Sequence, residues 1–410
     1  AVVNGSAATF KLWAPTAKNV ALYLYDDSLA QVGDAVTMTR KANGTWETAE
    51  VADALGKYYR YEVEVYHAAL DSVETLQVTD PYSLSLSVNS KYSQVVDLET
   101  TAKPAGWDGQ TIPTVDNPEQ QVIYETHLRD LSSAPGDGGT DALDGKYTAI
   151  TETERESVKQ LTSLAENGLN TIHLLNLFDI ATVDEDPDKR VELSDTVAKL
   201  CGLNASAAVC DDGVNDATIR EVLEGYDPTT GDAQALMNDL RMLDSFNWGY
   251  DPFHYTAPEG SYATDAQGTV RIEEYRTLIM KLHEMGYRVV MDVVYNHTNS
   301  AGTDDKSVLD KIVPGYYQRL NAEGNIETST CCSNTATENI MMGKLMTDSL
   351  VTWAKEYKID GFRFDLMGHQ PKQLMIDSLA EVKKVDADTY FYGEGWNFGE
   401  VANDALFVQA

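Results

Sequence analysis

The sequence predicts an α/β protein: a parallel sheet covered by helices, preceded by an all-β domain. Two observations carry this. The first hundred of 410 residues alternate apolar and polar positions between turn residues, and from residue 119 onward short apolar strands alternate with helical patterns. Five strands in this order fit either an open doubly wound sheet or the first part of an eight-stranded barrel.

Within residues 1–100, Ala8–Trp13, Asn19–Tyr25, Thr45–Val51 and Tyr58–Tyr66 alternate and are broken by NG, GK and DP turns, which suggests a β-sandwich. The stretch 101–118, TAKPAGWDGQTIPTVDNP, is rich in Pro, Gly and Thr and reads as a linker. Strands are then expected at Gln121–Glu125, Asn170–Leu177, Tyr287–Val294, Ile359–Phe364 and Thr389–Gly393. Helical patterns lie between them at Glu154–Asn167, Ile272–Met285, Asn339–Tyr357 and Pro371–Lys384, with Gly168 and Gly286 where helix C-caps belong. No glycine-rich phosphate loop follows the first strand, which argues against a dinucleotide-binding sheet. Residues 180–246 interrupt the alternation with acidic runs (VDEDPDKR, CDDGVND), too long for an ordinary connection and of the length that is usually functional or flexible.

Thirty-one basic residues face 65 acidic ones, a formal charge of −34, and a surface this negative repels phosphate backbones and excludes nucleic acid as a partner. It suits a neutral substrate or a salty environment. With 43% apolar residues and no apolar run near 18 residues, no membrane span is expected. The four cysteines form two local groups without zinc-site spacing. Cys201 and Cys210 fit a small disulfide loop of an exported protein. A bridge between the neighbours Cys331 and Cys332 would hold its Cα atoms closer than disulfides usually do, and four free thiols are the alternative. The chain carries no signal peptide and begins at Ala1 without Met, as a processed or trimmed product would. A secreted or cell-surface location is the expectation.

Two carboxylates sit at the ends of consecutive strands: Asp365 in GFRFDLMGH (361–369) and Glu394 in YGEGW (392–396). Glycoside hydrolysis needs such a pair, one to attack the sugar carbon and one to protonate the leaving oxygen, about 5–5.5 Å apart in the retaining case. Alternation places Arg363 and Asp365 on one strand face and Phe362 and Phe364 on the other. The guanidinium then favours the ionised carboxylate that a nucleophile requires. A structural Arg–Asp bridge is the alternative. Glu394 lies between Gly393 and Gly395, which leaves room for a substrate, and Trp396 offers an aromatic face. As a general acid Glu394 must hold a proton, and a nearby Asp365 would help it do so.

In RVVMDVVYNH, Asp292 interrupts an apolar run and needs partners, with His297 and Arg363 as candidates. Asn296 and His297 end that strand, and His297 by itself reads as a satisfied structural histidine. His369 follows Asp365 by four residues, within reach of a sugar hydroxyl. In NWGYDP (247–252), Trp248 and Tyr250 fit walls of a sugar site or buried aromatics flanking a Gly–Asp–Pro turn.

Taken together, VIYETHLRDLS (122–132), NWGYDP, DVVYNH (292–297), GFRFDLMGH and YGEGW resemble, in order, the motifs of pullulanase-type debranching enzymes of the α-amylase clan of glycoside hydrolases. FKLWAPTAKNVALYLYD (10–26) is similar to the starch-binding-type β-sandwich that precedes their barrel. The resemblance implies a (β/α)8 barrel, with Asp365 as nucleophile and Glu394 as acid/base. Asp292, Asn296, His297, Arg363 and His369 would line the site of the attacked glucose, with Tyr250 stacking on its ring. It implies retaining hydrolysis of α-1,6 branch points in an α-glucan such as pullulan, limit dextrins or amylopectin. No cofactor is required for that chemistry. Some relatives bind structural calcium, for which no stretch here has a convincing ligand pattern. Phe246 and Asn176 stand where the family usually has Tyr and Pro. The family's last motif, with a third catalytic Asp, and strands six to eight do not appear before Ala410. Residues 1–410 alone are therefore expected to be inactive unless a second polypeptide piece completes the barrel. Rivals are an isoamylase or branching enzyme of the same clan and a non-catalytic glucan-binding protein.

Overall fold

In Asn19–Tyr25 the side chains of Val20, Leu22 and Leu24 are buried while those between them are not, as a two-residue period requires, until Tyr25 closes the strand buried as well. This strand pairs antiparallel with Tyr58–His67, from Asn19 opposite Glu64 to Tyr25 opposite Tyr58, and Ser72–Val78 pairs with the same long strand. A second sheet of Lys11–Trp13, Thr45–Glu47 and Thr39–Arg40 adds Leu12 and Trp46 to the core beside Phe10, Tyr59, Tyr61 and Val63. The Tyr59 and Tyr61 hydroxyls donate to Asp80 at 2.8 and 3.2 Å, so two buried phenols are satisfied by one carboxylate. The computed structural model describes residues 1–398 and 405–409.

The second half holds a five-stranded sheet, all parallel, whose spatial order is its chain order: Ile123–Thr126, Thr171–Leu174, Arg288–Val293, Gly361–Phe364 and Tyr390–Gly393. Helices Glu156–Glu166, Val270–Glu284, Ile340–Tyr357 and Lys372–Val382 alternate with them. Each of these expected strands and helices is present, with ends moved by no more than three residues. Gly168 (φ 100°) and Gly286 (φ 93°) take up the left-handed conformation that ends two of these helices. One face of the sheet carries Ile172, Leu174, Val289, Met291, Val293, Phe362, Phe364 and Phe391, all nine-tenths or more buried. Behind it, Trp353 of the Ile340–Tyr357 helix is fully buried, packs against Tyr275 and Tyr357, and donates through Nε1 to the Tyr255 carbonyl.

Residues 101–118 do not hang as a free tether. Arg276 binds the carbonyls of Leu98 and Thr101, Arg288 binds that of Pro113, and Val115 N–H donates to Asp388. An antiparallel pair, Phe178–Ile180 with Pro252–Pro258, was not expected; its strands lie on either side of the long interruption, where no local pattern links them.

The interruption is itself a folded body. Residues 182–248 form one compact unit, and residues 1–181 with 249–410 form the other. In the smaller unit, helices Val197–Leu203, Ile219–Gly225 and Asp232–Leu240 bury Val191, Val197, Leu200, Val209, Ile219, Leu236 and Leu240. Thr218 and Glu221 cap the second helix reciprocally. The alternative of free thiols does not hold: Cys201 bridges Cys210, and Cys331 bridges Cys332. Among the described residues no helix is long and apolar enough to cross a membrane.

Candidate active site

The other face of the parallel sheet is polar toward its C-terminal edge. In parallel strands, residues in register point the same way, and side chains two apart share a face. Register places Asp292 beside Arg363 and Arg363 beside Tyr392, while Glu125 pairs with His173. Asp365 and Glu394 follow the last residues of their strands, with Asp365 N–H donating to the Val293 carbonyl and Glu394 N–H to that of Phe364. The two carboxylates that the sequence singled out thus emerge side by side.

Arg363 organises them. Its Nη1 lies 3.0 and 2.9 Å from the two Asp292 oxygens and 3.6 Å from Asp365 Oδ1, and its Nη2 lies 2.5 Å from Glu394 Oε1. Burial works against the cation, but the facing Asp292 and Glu394 carboxylates hold it above the usual range. Asp292 is fully buried and is satisfied by Arg363 and by the Tyr250 hydroxyl at 2.8 Å, with His173 Nε2 nearby at 3.6 Å. His297 is not among its partners, contrary to expectation. Instead His297 spans from Asn296 Oδ1 (Nδ1, 2.6 Å) to the Tyr250 carbonyl (Nε2, 2.9 Å), and burial pushes its pKa down. Asn296 Nδ2 in turn donates to the Asp365 carbonyl and to Asp365 Oδ2, each at 2.9 Å.

The charge state expected of Asp365 needs correcting. Arg363 and Asn296 do favour its anion, but burial is the larger influence and the Asp292 and Glu394 charges add to it, lifting its pKa to about 6. The Glu394 carboxylate receives Arg363 and the Leu366 N–H at 3.1 Å. The glycine before it also has another purpose. A Cβ on Gly393 would collide with the Phe364 carbonyl oxygen, so the close passage of the neighbouring strand by itself requires that position to be bare.

Tyr250 is placed by Gly249, which has φ 86° and packs so close to Asn176 that a Cβ would lie 2.5 Å from the Asn176 Cβ. Burial and Asp292 raise the Tyr250 phenol, which stays a donor. His369 does not offer itself to a sugar here: it is 1% exposed in the 3-10 turn Met367–His369 and stacks on Phe398 at 4.7 Å. Trp396 is 68% exposed, its indole open to solvent. Trp248, 59% exposed, is the last residue of the 182–248 unit. Sequence reasoning missed His173 and Tyr392, whose rings meet edge to face at 5.8 Å beside Asp292. A histidine inside the apolar run TIHLL was the available signal.

Two family models match this chain: carbohydrate-binding module 48 (isoamylase N-terminal domain) over residues 1–83, and the pullulanase Ins domain over residues 180–246. The chain is 45% identical to a pullulanase of Klebsiella aerogenes over 97% of its own length and 38% of that protein's. It is 38% identical to the chloroplastic pullulanase 1 of Arabidopsis thaliana, over 97% of this chain and 40% of that one. Apo pullulanase of Klebsiella pneumoniae superposes with a TM-score of 0.93 at 44% identity, covering 100% of this chain and 45% of that one. A second Klebsiella pneumoniae structure, complexed with maltotriose, gives 0.92 at 45% identity over 97% and 39%. This chain spans about two fifths of the length of these relatives. On this similarity, which runs through the sandwich, the inserted unit and the parallel sheet, the chain belongs to the pullulanase family.

Proposed function

We propose that this chain carries the nucleophile and the acid/base of a retaining glycoside hydrolase that cleaves α-1,6 branch points in pullulan, limit dextrins or amylopectin. The observation that carries the reading is the convergence of Asp365 and Glu394 on the two nitrogens of one guanidinium. Two carboxylates this close to one cation can face one glycosidic bond.

Asp365 attacks the anomeric carbon and forms a glycosyl ester as the glycosidic bond breaks. Glu394 passes a proton to the leaving oxygen, then removes one from the water that opens the ester. For the first step Glu394 must give up Arg363, and a sugar entering between them displaces that contact. Tyr250, Asn296 and Arg363 border the bound ring, with Trp396 as an outer stacking face. The five strands are the first five of a (β/α)8 barrel with the polar face as lumen. Both edge strands, Ile123–Thr126 and Tyr390–Gly393, have one neighbour among the described residues, so closure takes further strands, in cis or from a second polypeptide. The maltotriose-bound relative and the module-48 match support an α-glucan partner.

This chemistry needs no cofactor. Two disulfides favour an oxidising compartment, hence secretion or the cell surface.

The test is product analysis with the full-length protein. Pullulan should yield maltotriose, which separates this activity from branching-enzyme transfer. Asp365→Asn should lower turnover by at least about three orders of magnitude, and unchanged turnover in that variant would end the enzymatic reading.

A further inference from the structure

The hairpin that follows the Asp292 strand holds chemistry that glycosidic hydrolysis does not use. His297 and Thr298 pair antiparallel with Asn334 and Ser333, and the bridged Cys331–Cys332 lies in the bend just before that pairing. One nitrogen of His297 and both cysteine sulfurs lie within 4.8 Å of one another. Successive side chains in a strand point to opposite faces. Here the bend and the covalent bond turn both sulfurs to the His297 side. Cys331 is exposed and Cys332 half-buried, so the pair is reachable from solvent, while His297 is 1% exposed.

We propose that Cys331–Cys332 and His297 form a redox-gated site for a soft or borderline divalent cation, closed while the disulfide is intact and open once it is reduced. With the bond intact, neither sulfur is a thiolate and only the imidazole is a donor. A phosphine opens it: the S–S bond breaks, phosphorus is oxidised to the phosphine oxide with the oxygen of one water, and that water's two protons go to the two sulfurs. Two thiols and an imidazole are then a Cys2His donor set, which suits Zn2+ or Cd2+ with a water as the fourth ligand and releases the thiol protons on binding. To share one ion the two sulfurs must move apart and the His297 nitrogen, within 4.8 Å of both, must close on them, and cutting the sulfur–sulfur bond frees the bend to allow it.

Occupation has a consequence for the neighbouring carboxylates. Both His297 nitrogens are engaged, one with Asn296 Oδ1 and one with the Tyr250 carbonyl. A metal must replace one of these contacts. Losing the first releases the amide that holds Asp365, and losing the second loosens the Tyr250 segment whose hydroxyl holds Asp292. Metal binding therefore silences the site, a consequence that rests on the reading of Asp365 as nucleophile, whereas the binding itself does not.

The experiment uses the full-length protein with Cys201→Ser and Cys210→Ser, so that Cys331 and Cys332 are the one pair left within residues 1–410. Protein treated with tris(carboxyethyl)phosphine and desalted anaerobically should gain two more titratable thiols than the same protein carrying Cys331→Ser and Cys332→Ser. It should bind one Cd2+ with an ultraviolet thiolate-to-cadmium band and one Zn2+ by calorimetry, and the oxidised protein should do neither. Adding Cys331→Ser and Cys332→Ser should abolish both signals, and His297→Gln should weaken Zn2+ binding at least tenfold while the protein stays folded by circular dichroism. Equal binding by oxidised and reduced protein, retention of the cadmium band in the quadruple variant, or failure of the phosphine to release thiols from the folded protein would each overturn the proposal. If binding is found but pullulan hydrolysis is absent throughout, the metal site stands and the hydrolase reading fails.

Discussion

Arg363 Nη2 lies 2.5 Å from Glu394 Oε1, while Nη1 of the same guanidinium is shared between Asp292 and Asp365. Three negative groups from three adjacent strands thus meet around one positive centre. Removing that centre leaves the fully buried Asp292 with the Tyr250 phenol as its hydrogen-bond partner and the His173 ring 3.6 Å away.

Arg363→Met should consequently destabilise the protein by about 3 kcal/mol, the order expected when one partner of a buried ion pair is removed. Urea denaturation measures it. Arg363→Lys should recover part of the stability but little of the turnover, because an ammonium cannot serve two carboxylates with the geometry of a planar fork.

The pH dependence follows from Asp365, whose pKa is lifted to about 6 from 3.8. Between those values the folded state binds more proton than the unfolded chain. Stability from this group therefore falls as pH rises from about 4 to about 6, by roughly 2–3 kcal/mol, and is level above that. Activity moves the opposite way, since the nucleophile must be ionised: kcat/KM on pullulan should rise through an apparent pKa near 6. Asn296→Ala removes a hydrogen bond that favours the anion and should move this limb upward. A limb unmoved in that variant would assign it to another group.

Gly393→Ala tests whether the glycine beside Glu394 serves the strand or the substrate. Collision with the Phe364 carbonyl predicts a loss of about 1–3 kcal/mol in stability, read from the denaturation midpoint. A raised KM at unchanged stability would instead restore the idea that the glycine admits substrate.

In the inserted unit, the Cys201–Cys210 bridge closes a short loop between residues nine apart. Replacing both with Ser should lower the unit's stability by about 2–3 kcal/mol on the loop-closure estimate. Limited proteolysis should then cut within 182–248 faster than in the unaltered protein.

The sequence by itself determined the order and kind of the main elements and the identity of the two carboxylates. The period-2 pattern of NVALYLY, the apolar runs ending in Asp292 and Asp365, and the glycines at 168 and 286 each state a local conformational preference that the folded chain obeys. Partnership was decided elsewhere. That Asp292 is held by Arg363, Tyr250 and His173 and not by His297 depends on inter-strand register, which joins residues 42 to over 100 positions apart and leaves no local trace. The bareness of Gly393 answers a carbonyl on the next strand, and the pKa of Asp365 answers the depth at which it lies. The sequence marked 180–246 as an interruption but not as a folded body, because its helices are short and acidic and their apolar residues make a core only once packed together. Local chemistry is written along the chain, but burial, register and electrostatic environment are properties of atoms brought together, and only the tertiary structure brings them together.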